Sequence, residues 1–233
     1  MEREKVNNKM SESFILAILL AMVGGFLDAY TYCCRDKVFA NAQTGNIVRV
    51  GITLANGEYM KTFRYFIPII AFSLGVLITM YIRDNNNTHL HWRQVILLFE
   101  AIIIIIVSLM PIQTYLNIVS NIMISFLCAM QAESFKKVLG KPFSSTMCTG
   151  NLRRGTEYLY NVLKNNDIRV FKNVKYYFLI IISFILGAVL GRISSNYFFE
   201  KAILLTLIPL FYSIFIMINS SKKIKNSVEY NGK

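Results

Sequence analysis

The chain has 233 residues, 55% hydrophobic and only 16% charged, with a mean hydropathy of +0.46. Soluble domains run at roughly 45–50% apolar and about 25% charged, so an apolar excess with a charge deficit excludes disorder and argues against a water-soluble globule. The formal net charge of +12 would point to nucleic acid in a soluble protein; in a membrane protein it records orientation.

A bilayer core of roughly 30 Å needs about 17–25 mostly apolar residues per helix. Six stretches come close: Phe14–Cys34, Phe66–Ile82, Val95–Met110, Ile112–Ala132, Tyr176–Ile193 and Ala202–Ile218. Lipid requires each segment to satisfy its own backbone, so these read as spanning helices. The first is expected to be retained and not cleaved as a signal peptide, because its leader mixes Glu2, Glu4 and Glu12 with basic residues and the run carries Asp28 instead of a small-residue cleavage site. Pro111 marks a tight turn between spans three and four. The cysteines (Cys33, Cys34, Cys128, Cys148) lack the spacing of a disulfide scaffold or a zinc site, so they read as small apolar residues.

Placing the N-terminus inside puts eighteen of the 25 Lys and Arg on the inner side. The positive-inside rule therefore predicts that both termini are cytoplasmic.

An internal repeat is visible. Thr44-Gly45-Asn46 follows span one and Thr149-Gly150-Asn151 follows span four, 105 positions later. The same shift sets Asp28 on Glu133, Arg49 on Arg154, Leu54 on Leu159 and Asn56 on Asn161. In the next spans, Phe72-Ser73-Leu74-Gly75 aligns with Phe184-Ile185-Leu186-Gly187 at a shift of 112, so the second unit carries a seven-residue insertion. Each unit is a span, a Thr-Gly-Asn segment and two more spans. Three being odd, the second unit enters the membrane from the opposite side, an inverted repeat of the kind common in transporters. The predicted fold is all-α: six transmembrane helices in two inverted three-helix repeats, residues 1–111 and 112–233, each with a Thr-Gly-Asn loop or half-helix.

Asn and Thr are helix N-cap residues, so each Thr-Gly-Asn is expected to open a short helix whose first N–H groups are free to face a ligand. The two segments either lie in opposite interfaces or dip inward and meet. Asp28, within span one, and Glu133, closing span four, either brace the fold by pairing with Arg49 and Arg154 or by capping the adjacent Thr-Gly-Asn helices, contact a solute or ion, or are exposed at the interface. Glu100 either snorkels or marks a pathway. The polar residues of span four (Gln113, Asn117, Ser120, Asn121, Ser125, Gln131) fit a helix buried against others or a cavity wall. Gly75, Gly187 and Gly191 fit close helix packing. His89 and His91 read as interfacial residues, not metal ligands, and Lys222–Lys225 as a contact for anionic lipid heads.

The run Gly24-Gly25-Phe26-Leu27-Asp28-Ala29-Tyr30-Thr31-Tyr32, followed by Val38-Phe39-Ala40-Asn41-Ala42-Gln43-Thr44-Gly45-Asn46, resembles the YoaK-like family of bacterial membrane proteins, a domain of unknown function. The resemblance covers nearly the whole chain. It implies a bacterial inner-membrane location and singles out Gly25, Asp28, Asn41, Thr44, Gly45 and Asn46, but it supplies no substrate. Gln43 departs from the hydrophobic residue of many members and is the weaker candidate.

The resulting expectation is a small transporter or channel for an unidentified small solute or ion. Its binding residues would be Asp28, Asn41, Thr44, Gly45, Asn46, Arg49, Glu133, Thr149, Gly150, Asn151 and Arg154. Two alternatives are a structural or regulatory membrane subunit and a membrane-embedded enzyme. The sequence holds no Gly-x-Ser-x-Gly or His-Glu-x-x-His motif, so no catalytic residue, metal or cofactor is expected. The expected partners are the lipid bilayer and the solute, not nucleic acid, with a homodimer as a candidate assembly.

Overall fold

The computed structural model describes residues 13–85, 91–145, 147–166 and 168–230, without the side chains of residue 138 and of residues 220–230. The acidic leader residues, His89 and the side chains of Lys222–Lys225 lie outside the described residues. In chain order the elements are α1 (Phe14–Cys34), α2 (Gln43–Ala55), α3 (Tyr59–Asn85), α4 (Trp92–Ser108), α5 (Thr114–Ser134), β1 (Lys137–Val138), β2 (Lys141–Pro142), α6 (Cys148–Asn165), α7 (Ile168–Phe198), a 3-10 segment (Phe199–Thr206) and α8 (Leu207–Tyr230). The fold is helical as anticipated. The small antiparallel β1–β2 hairpin is an addition that no period in the sequence announces. It turns through Leu139 and Gly140, both at positive φ, the backbone a tight hairpin requires.

Local chemistry sets the helix ends. Ser13 caps α1, its hydroxyl accepting the Leu16 N–H at 3.2 Å. A reciprocal box starts α4: His91 Nδ1 accepts the Arg93 N–H at 3.3 Å and Gln94 Oε1 accepts the His91 N–H at 3.1 Å. The Thr-Gly-Asn helices begin earlier than the N-cap reading predicts. Their N-cap positions are Ala42 and Met147, neither with a side-chain cap bond, and Thr44 and Thr149 fall inside the first turn.

Among the described residues, four helical stretches are long and apolar enough to cross a membrane: Phe14–Cys34, Tyr59–Asn85, Thr114–Ser134 and Ile168–Asn219. The last is a helical run of 52 residues that joins α7, the 3-10 segment and the first part of α8. At 1.5 Å per residue it far exceeds the roughly 30 Å hydrocarbon core, and the left-handed Phe199 (φ 49°) interrupts it. The stretch anticipated as span three is α4, at 17 residues the shortest of these apolar helices.

A shared core joins α1, α4, α5, the 3-10 segment and α8, with Leu20, Leu27, Ile104, Ile124, Leu127, Ile203 and Leu210 in one cluster. Outside it, α3 and α7 turn Leu74, Leu77, Ile78, Ile182, Ile185 and Val189 outward. Apolar faces of this extent are rare on soluble monomers, and they point to a multi-pass membrane protein.

Close backbone approach organises the long helices. α1 and α7 run parallel: the Phe14 ring meets Tyr176 at 4.5 Å, and further along Gly187 and Gly191 lie against Met22 and Phe26. A Cβ on Gly187 would sit 2.0 Å from the Met22 carbonyl oxygen, and one on Gly25 2.0 Å from that of Phe184. α3 and α5 are likewise parallel, with Gly75 against Phe126 and Arg83 near Glu133. α1 and α5 run antiparallel: Gln131 Nε2 donates to the Leu20 carbonyl at 3.1 Å, and Asn121 Nδ2 to that of Arg35 at 2.8 Å.

Two buried ionisable side chains stand out. Arg35 is fully buried and clamps the α4–α5 turn, donating to the carbonyls of Val107, Met110 and Pro111, to Asn117 Oδ1 and to the Tyr30 hydroxyl. Glu100 on α4 is also fully buried, so it does not snorkel, and neither carboxylate oxygen has a hydrogen-bond partner among the described residues.

Candidate functional site

One cavity of about 1390 Å³ takes its walls from α1, the segment before α2, the first turn of α2, the segment between β2 and α6, the first turn of α6, and α7. Thr44 and Gly45 line it, and so do Thr149 and Gly150. Both Thr-Gly-Asn segments therefore border one common space.

The asparagines of the two motifs do another task. Asn46 Nδ2 donates to the Phe39 carbonyl at 2.8 Å, and Asn151 Nδ2 donates to the Ser144 carbonyl at 2.7 Å. Each reaches back seven residues and closes the loop that enters its helix. Asn151 Oδ1 also accepts the Ser144 N–H at 3.2 Å. Both side chains are buried, where paired amide groups stabilise and unpaired ones are costly; both ends of the Asn151 amide are paired, whereas Asn46 Oδ1 has no hydrogen-bond partner among the described residues. Space does not require either glycine, since a Cβ on Gly45 would meet the Phe39 ring at 3.5 Å and one on Gly150 the Arg154 guanidinium at 3.6 Å, both ordinary contact distances.

Asp28 borders the cavity from α1. Its Oδ1 accepts the N–H groups of Asn41 and Ala42 at 3.1 and 3.3 Å, and its Oδ2 accepts from Asn41 Nδ2 at 3.4 Å. The carboxylate thus fastens the segment before Thr44 to α1, and its bonds go to backbone and amide N–H, not to an arginine. Glu133 is not among the lining residues. It pairs with Lys136 and, at 3.8 Å, with Arg83. The arginines at the repeat positions also part company. Arg154 lines the cavity. Arg49 donates to the Lys37 carbonyl and lies over the rings of Phe39 and Tyr65 at 5.9 and 5.2 Å.

Of the eleven candidates, Asp28, Thr44, Gly45, Thr149, Gly150 and Arg154 share the cavity wall. Asn41, Asn46 and Asn151 hold its loops, and Arg49 and Glu133 bind elsewhere. Sequence reasoning passed over Lys37, Lys136 and Arg192, and the rings of Tyr32, Phe39, Phe143 and Phe184, all on the wall. Arg192 carried a signal: it is the lone charge within Tyr176–Ile193, and a charge inside an apolar span marks a site by default. The aromatic residues carried none, since an aromatic in an apolar run has the same pattern whether it faces lipid, core or cavity.

No group of three or more His, Cys, Asp or Glu able to hold a metal occurs among the described residues. No curated protein and no solved structure matches the chain. Residues 16–217 match the family model described as protein of unknown function (DUF1275), and the chain belongs to that family.

Proposed function

We propose that the chain is a small membrane transporter or channel whose solute pathway runs between two inverted three-helix units. The observation that carries this reading is the single cavity bordered by both Thr-Gly pairs. Its wall includes Lys37, just past the end of α1, and Lys136, just past the end of α5. These helices run antiparallel, so the lining draws on residues near opposite ends of the bundle. A conduit needs that reach, while a pocket for a structural lipid does not.

Reciprocal contacts support the inverted units. Gly75 of the first unit packs on Phe126 of the second, and Gly187 of the second on Met22 of the first. The loop bonds of Asn46 and Asn151 are equivalent at the repeat shift of 105. In this reading α4 is the third pass, and the long run Ile168–Asn219 is two passes folded at Phe199. The membrane is the bacterial inner membrane and both termini are cytoplasmic. Rocking of one unit against the other opens the cavity alternately. A structural or regulatory role is the second reading, favoured by one fact: Asp28 and Glu133 both bind protein groups, as bracing acids do.

Cysteine accessibility tests the choice. Thr44→Cys and Thr149→Cys, each in a chain without its four native cysteines, are placed in proteoliposomes assayed for flux of ions, organic acids and amines. A membrane-impermeant thiol reagent is expected to label each position from either face and to block flux. Labelling from one face only, with flux absent, would overturn the transport reading and leave the structural one.

A further inference from the structure

We infer that the cavity selects an amphipathic organic anion, a carboxylate on an aromatic or branched apolar body; this rests on the proposed solute site and names its substrate class. The first ground is charge. The wall carries one acid, Asp28, against four cations, Lys37, Lys136, Arg154 and Arg192. Asp28 accepts three N–H groups from Asn41 and Ala42, so its negative charge is spent on the loop. Lys136 is paired with Glu133. Lys37, Arg154 and Arg192 have no ion pair within 4 Å among the described residues. A wall with this surplus of positive charge holds a potential that favours an anion inside the cavity.

The second ground is the rest of the wall. Tyr32, Phe39, Phe143, Met147 and Phe184 supply a broad apolar surface, and about 1390 Å³ is far more than a bare inorganic ion fills. Ligand pockets run at roughly 300–1,000 Å³, mostly apolar with a few polar groups that orient the ligand. A planar guanidinium such as that of Arg154 grips a carboxylate with two parallel N–H donors, while the rings take the apolar body. The first turns of α2 and α6 add partial positive charge of the same sign.

Equilibrium binding to the purified full chain in detergent tests the substrate class without needing transport. The probes are radiolabelled benzoate, octanoate, inorganic phosphate and benzylamine. Benzoate is expected to bind, and Arg154→Gln is expected to weaken it about tenfold, the loss of one charge-assisted contact. Arg154→Lys, which keeps the charge, is expected to retain part of the affinity, with monodispersity on size exclusion confirming that each variant is folded. Octanoate binding at least tenfold more tightly than benzoate assigns the anion to the lipid phase, and the reverse assigns it to water; both support the anionic class. Preferred binding of benzylamine, phosphate binding as tightly as benzoate, or no binding of any probe overturns it. Flux of a cation with no anion binding would overturn the class and leave the transport reading intact, while anion binding without flux would do the opposite.

Discussion

At the scale of single residues, the bundle depends on polar groups placed where lipid-facing chemistry offers no alternative partner. Arg35 donates to three carbonyls at the α4–α5 turn and to Asn117. Removing it leaves those acceptors buried without donors, and a buried unsatisfied group costs about 1–3 kcal/mol. Arg35→Met is expected to lower stability by about 3 kcal/mol, read as thermal unfolding in detergent. A Met variant as stable as the native chain would remove the clamp from the account. His91 offers a pH handle. Burial, with the Arg93 charge adding to it, lowers its imidazole to about 4, from the usual value of about 6.5. Only the unprotonated Nδ1 can accept the Arg93 N–H. The folded state therefore binds fewer protons than the unfolded one, so stability is full above pH ~6.5 and falls between there and pH ~4. His91→Asn, a cap that does not titrate, is expected to flatten that slope in a melting series. An unchanged slope would mean that other groups set it.

At the scale of elements, the helix pairs are set by glycine contacts with main chain. Around Gly187 the obstructing atom is the Met22 carbonyl oxygen, which cannot swing aside as a side chain can. Gly187→Ala is expected to destabilise by about 1–3 kcal/mol through overpacking. The control is Gly51→Ala on α2, where a Cβ meets nothing within 4 Å and helix propensity favours alanine by up to about 1 kcal/mol. Equal effects at the two positions would sink the packing argument. Elements were also where the sequence was most legible. Phe14–Cys34 is read with its observed bounds because an apolar run in lipid is a local property. The Thr-Gly-Asn repeat located both loops that meet at the cavity. It did not separate Thr-Gly, on the wall, from Asn, in the loop closure, because that division depends on Phe39 and Ser144 carbonyls seven residues away. Nor did it separate Asp28 from Glu133. Equal positions in a repeat do not give equal neighbours when one loop holds seven more residues and a hairpin. The burial of Arg35 has no local signal, since apart from Tyr30 its hydrogen-bond partners lie more than 70 positions along the chain.

At the scale of the whole molecule, orientation is the property most exposed to test. Reporter fusions at the C-terminus are expected to be active on the cytoplasmic side only, and activity confined to the outside would invert the topology. The parallel pairing of α1 with α7 carries a further consequence, for synthesis. Met22 and Gly187 are separated by some 160 residues, so α1 enters the membrane long before its partner is made. At about 5–20 residues per second, the wait is on the order of ten to thirty seconds. For that interval the narrow face around Gly25 has only lipid, or an insertion factor, to lie against. The newborn chain is thus most vulnerable to mispairing along that face, and a ribosome stalled before residue 184 would release a chain whose first span lacks its α7 partner.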